Sequence, residues 1–136
     1  SPIMLWVISC TDKPNINAVR KTASAAQKLY MDAKLLEGSV VLTGTALDLD
    51  GKTRIGSLII VNARTSAEAR AFYEAEPFAR AGVFESVTIT GVMKSRWNPA
   101  AAETAEGKGQ TPTSLLSANA TSAAGQCRQE TGQQLR

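Results

Sequence analysis

Hydrophobic periodicity changes repeatedly along the first 97 residues, and each change marks an element. Ile3–Cys10 reads as a first strand opened by the apolar run Ile3–Ile8, with Leu5 and Val7 on one face and Met4, Trp6 and Ile8 on the other. A strand that is apolar on both sides has to be covered on both sides. After the turn Asp12-Lys13-Pro14-Asn15, Ile16, Val19, Ala23, Ala26, Tyr30 and Ala33 recur at three- and four-residue spacing as far as Leu36, predicting one amphipathic helix with Gly38 as its C-cap. Val40–Leu47 reads as a second strand. The acidic turn Asp48-Leu49-Asp50-Gly51 joins it to a third, Ile55–Val61, as a hairpin with an extended loop. Thr65-Ser66-Ala67-Glu68 is a capping box that opens a second helix with the stripe Ala69, Phe72 and Tyr73. Pro77 ends this helix by forcing Glu76 away from αR geometry. Glu85–Met93 alternates as a fourth strand, with Val87, Ile89, Gly91 and Met93 on one side.

The order is β-α-β-β-α-β, an α+β, ferredoxin-like arrangement. Two helices cover one face of such a sheet and leave the other open. Because the strands are apolar on both sides, the open face predicts a homodimer in which two copies pack sheet to sheet as an α+β barrel. The aromatic residues and every Ile, Val and Met lie before residue 98, so the core domain is 1–97. Residues 98–136 are rich in Ala, Thr, Ser, Gly and Gln, and read as a low-complexity tail whose composition buries too little apolar surface to offset its ordering entropy; Leu115-Leu116 is its one plausible anchor.

Composition removes many chemistries. No His is present among 136 residues, which excludes imidazole bases, the usual zinc sites and His-ligated haem. Cys10 and Cys127 are too far apart in sequence for a CxxC knuckle and read as reduced thiols rather than a disulfide. A net charge of +3, from 15 basic and 12 acidic residues, is scattered rather than striped, so no nucleic-acid partner is expected. No run is long enough to span a membrane, and the opening residues lack the pattern of a signal peptide; the expectation is a cytoplasmic protein. Neither GxGxxG nor a Walker pattern occurs, and Asp48 and Asp50 lack the spacing of a calcium loop, so no cofactor and no metal are expected.

Some residues admit two readings. Arg20, Ser24, Gln27 and Met31 form a polar edge on the first helix, either a solvated flank or the wall of a pocket. Ser57 interrupts an aliphatic strand, as a hydroxyl bonded to backbone or as a pocket group. Glu76-Pro77-Phe78-Ala79-Arg80-Ala81-Gly82 is a compact turn with an evident structural role, in which Gly82 permits a positive φ and Phe78 and Phe84 fill the core. Cys10 reads as a buried structural thiol, since a nucleophile there would need Lys13 or a helix N-terminus to lower its pKa.

Taken together, these segments resemble the YCII-related family of small dimeric α+β barrel proteins. The likeness runs through MLWVISCTDK, QKLYM, the strand reaching Gly44, the Asp-Gly turn followed by GSLIIV, and EPFARAGVFESVTI. In the catalytically studied members, a His on the first helix pairs with the Asp before the Pro of a DP-[aromatic]-x-x-A-G-[aliphatic]-F motif as a general-base dyad. The resemblance sets Gln27 at the His position and Glu76 at the Asp position, so both members of the dyad differ. It also implies that Pro77 orients the acid and that Ser57 and Arg20 hold a substrate oxygen as negative charge develops. Gln27, Pro77, Tyr30 and Phe78 are its expected substrate-binding residues.

The two replacements differ in consequence. A Gln amide takes up no proton near neutral pH, whereas Glu76 remains a carboxylate whose pKa burial would raise. The expected function is a cofactor-independent lyase or isomerase acting on a small hydroxylated aromatic or carbonyl metabolite, with Glu76 as proton acceptor and Arg20 and Ser57 as oxyanion donors. The alternative is a non-catalytic small-molecule-binding or accessory protein of the same fold.

Overall fold

The computed structural model describes residues 2–120. They fall in two compact units, 2–97 and 98–120. The first contains strands β1 (Met4–Asp12), β2 (Val40–Leu47), β3 (Arg54–Ala63) and β4 (Phe84–Val92), and helices α1 (Asn17–Glu37), α2 (Ser66–Ala75) and the short α3 (Pro77–Arg80). The strands form one antiparallel sheet in the order β2-β3-β1-β4. This is the ferredoxin-like arrangement the periodicity predicts, with α3 added where the sequence suggested only a turn.

The strand alternation divides the sheet. Ile8, Cys10, Ile59 and Val61 point to the helix side and are almost wholly buried, joined there by Ala69, Phe78, Val83 and Phe84. Leu5, Val7, Ile60 and Val92 point the other way and form the apolar floor of a groove of ≈ 390 Å³ whose rim is Met93, Lys94, Ser95, Arg96 and Trp97. At the end of their ladder, β1 runs so close to β3 that a Cβ on Gly56 would lie 1.8 Å from the Cys10 carbonyl oxygen. No other residue type fits there. Two irregularities in strand register flank this crossing: β1 shifts against β4 between Thr11 and Asp12, and β2 shifts against β3 between Ala46 and Leu47, whose partner is Arg54. Bulges re-aim side chains. Here they bring Asp12 and Arg54 together.

The inward face of α1 is rotated from the predicted stripe. Val19 and Leu36 are exposed and so are Ala26 and Ala33, while Ile16, Arg20, Ala23, Gln27, Tyr30, Met31 and Leu35 turn toward the sheet. Arg20 and Gln27 therefore belong to the buried side rather than to a polar flank. Arg20 pairs there with Asp12, and Gln27 accepts from the Phe78 N–H, although Arg20 Nε stays buried without an acceptor. Tyr30 bonds α1 to α2, its hydroxyl donating to the Phe72 carbonyl at 2.8 Å beside the Phe72 ring. Thr65 caps α2 as the box predicts, and Glu76 is extended at φ −73°, ψ 136° before Pro77. Gly82 closes α3 at φ 75°.

In the second unit, residues 112–120 are helical. The reason is local. Thr111 accepts from the Ser114 N–H and Ser114 accepts from the Thr111 N–H, with Pro112 in the first helical turn. Cys10 is a free thiol; Cys127 lies outside the described residues. Among the described residues no helix is long and apolar enough to cross a membrane, and no group of three His, Cys, Asp or Glu could hold a metal ion.

Candidate active site

A cavity of ≈ 320 Å³ opens between α1 and the β2-β3 pair, with Phe78 of α3 closing one end; Gln27, Met31, Thr45, Arg54 and Ser57 are in its wall. Its size suits a small molecule. Lys28 and Asp32, an i,i+4 ion pair on α1, lie at the same site.

The N-terminus of α3 supplies the first polar group. A helix start leaves backbone N–H groups without intrahelical acceptors. Glu76 Oε1 accepts from the Ala79 N–H at 3.1 Å, and Gln27 Oε1, reaching over from α1, accepts from the Phe78 N–H at 3.1 Å. Pro77 sits at the first helical position, where its missing N–H costs nothing. Glu76 is completely buried and its Oε2 has no hydrogen-bond partner. Burial pushes its carboxyl up from the ordinary value of 4.5; the Ala79 N–H and, less strongly, the Gln27 side chain and the Phe78 N–H pull in the opposite direction.

A charged cluster forms the other end. Asp12 Oδ2 pairs with the Arg20 guanidinium and also accepts from Arg54 Nε at 3.3 Å. Arg54 continues into the cavity, donating to Ser57 Oγ at 2.9 Å and to Thr45 Oγ1 at 3.2 Å. Arg20 is held besides by Asn17 Oδ1 at 2.9 Å. Between the two ends, Cys10 is buried, and desolvation together with Glu76 and Asp12 pushes its thiol up to about 12. It is not a thiolate at neutral pH and no nucleophile.

The predicted residues thus separate by position. Gln27, Ser57 and Phe78 line the cavity, and Glu76 and Pro77 form the turn that carries Phe78. Arg20 and Tyr30 do not line it: Arg20 is bound to Asp12 and Asn17, and the Tyr30 hydroxyl is committed to Phe72. Asp12 and Arg54 did not stand out in the sequence as site residues. Arg54 sits three residues before Ser57, next to a turn, and only the register shift that aims it inward distinguishes it from a solvated strand-end arginine.

The sequence profile of the YCII-related domain matches residues 4–98. The chain belongs to the YCII-related family. A solved structure of similar fold is that of 5-chloro-2-hydroxyhydroquinone dehydrochlorinase (TftG) from Burkholderia phenoliruptrix AC1100, in complex with 2,5-dihydroxybenzoquinone. It is 29% identical, with a TM-score of 0.55, over 70% of this chain and 94% of its own. No curated protein matches the chain. As a YCII-related domain, the chain carries an acid whose oxygens are withdrawn from water and a cavity whose far end holds hydrogen-bond donors.

Proposed function

We propose that this YCII-related chain is an enzyme of acid/base chemistry, a cofactor-independent lyase or isomerase acting on a small hydroxylated aromatic or carbonyl metabolite. The observation that carries this reading is Glu76: a carboxyl group with no solvent exposure, a raised pKa and one unpartnered oxygen, on a turn joined by hydrogen bonds to the cavity wall. A carboxyl whose pKa is raised by burial is a stronger base than an exposed one. In this reading Glu76 accepts a proton from a substrate hydroxyl or from carbon next to a carbonyl. Ser57, held by Arg54, donates to the oxygen on which charge develops; Arg20 acts from behind through Asp12, and Gln27 positions the ring. The likeness to a dehydrochlorinase bound to a hydroxyquinone supports the substrate class.

The apolar groove on the outer face of the sheet supports a homodimer packed sheet to sheet. Light scattering on wild-type protein and on Val7→Asp tests this, a dimer becoming a monomer in the variant.

One observation favours the non-catalytic alternative: Glu76 is fully enclosed, and Gln27 and Phe78, not Glu76 itself, line the cavity. Turnover of catechols, quinols and lactones by wild type and Glu76→Gln decides between them. Loss of turnover with ligand binding retained supports the enzyme. Equal rates remove Glu76 from the mechanism, and binding without turnover in wild type leaves a binding protein.

A further inference from the structure

The charges around the cavity do not cancel. Asp12 contributes one negative charge, shared between Arg20 and Arg54. Lys28 and Asp32 neutralise each other. Glu76 is not in the cavity wall. One positive charge is left over, and of the two guanidiniums only that of Arg54 is in the cavity wall. A guanidinium carries five N–H donors. Arg54 commits one each to Asp12, Thr45 and Ser57, and two have no acceptor among the described residues, while the side chain remains 31% exposed. Three anchors on three different strands fix the plane of the group. A fork held in this way, with donors to spare in a partly desolvated pocket, suits an anionic oxygen better than a neutral one.

We propose that Arg54 is the anion-holding residue of this cavity, and that the site takes a small molecule carrying an ionised oxygen: an enolate, a phenolate or a carboxylate. The inference rests on reading the cavity as a substrate site, and it assigns Arg54, rather than Arg20, as the cation that meets the ligand. Arg20 serves as a positioning residue, keeping Asp12 in place so that Asp12 holds Arg54 Nε.

The test compares two single-ring probes at pH 7 by calorimetry on the full chain. One is 2,5-dihydroxybenzoquinone, a vinylogous acid that is ionised at this pH; the other is hydroquinone, whose phenols are not. Wild type is expected to bind the quinone at least about ten-fold more tightly, Arg54→Gln to lose that preference, and Arg54→Lys to keep part of it. A wild type without preference, or an Arg54→Gln variant that retains it, overturns the proposal. Because Arg54 also braces Asp12 and Ser57, each variant is melted first. If Arg54→Gln does not fold, guanidinium nitrogen resonances of the wild type decide: Arg54 Nη signals must move on adding the quinone, and unmoved signals overturn the proposal. The acid/base reading fails separately. Charge-selective binding that depends on Arg54 in a protein without Glu76-dependent turnover sinks the enzyme and leaves the anion site standing; Glu76-dependent turnover with binding indifferent to Arg54 does the reverse.

Discussion

Gln27 and Glu76 share the first turn of α3: the amide oxygen of one accepts the Phe78 N–H and a carboxyl oxygen of the other accepts the Ala79 N–H, each at 3.1 Å. Two residues 49 positions apart in the chain thus cap one helix. The turn is thereby pinned to α1, and the acid is held where water does not reach it.

Enclosure of Glu76 makes stability depend on pH with an inverted sign. Its folded pKa is raised above the unfolded value of 4.5, so between the two the native state binds more protons than the unfolded state. The contribution is fully present below 4.5 and is lost as pH rises through the folded value. Glu76→Gln, uncharged throughout, is expected to close the gap with wild type at low pH and to be the more stable protein at pH 8. Urea midpoints measured for both from pH 4 to 9 check this, and parallel curves refute it.

Asp12 is the single acid between two arginines, with side-chain exposure of 11%. Asp12→Asn leaves Arg20 and Arg54 facing each other without their anion and is expected to cost about 3 kcal/mol in chemical denaturation. A change below about 1 kcal/mol would mean that the cluster is solvated.

Gly56→Ala places a methyl group against the Cys10 carbonyl, whereas a methyl group on Gly44 in β2 would meet only open space. The first substitution is expected to destabilise by about 3 kcal/mol or more and the second to change stability by no more than about 0.5 kcal/mol. Thermal melts of the two variants test the contrast directly.

Cys10 has a thiol pushed up to about 12 and is 3% exposed. In a Cys127→Ser background the native protein is expected to react with a disulfide reagent at pH 8 far more slowly than the urea-unfolded chain. Comparable rates would place the thiol in an accessible, ionised setting.

Elements carried by local pattern were legible in advance. The Thr65 capping box, the break at Pro77, the aliphatic third strand and the hairpin around Asp50 are set by residues a few positions apart, and the structure shows each in place. Glu76 and Gln27 were also within reach, through a family motif. The inward face of α1 was not: Arg20 and Gln27 read as a polar flank because sequence alone does not show that Asp12 and the Phe78 N–H wait opposite them.

Sequence by itself determined the β-α-β-β-α-β order and the acid at the start of α3, because periodicity, capping and proline geometry act over a single helical turn or strand. Tertiary structure alone decided that Asp12, Arg20 and Arg54 meet, and which of the two arginines enters the cavity. Those outcomes depend on strand register and on two bulges, and register is settled by how whole strands pair across the sheet rather than by any residue's own preference.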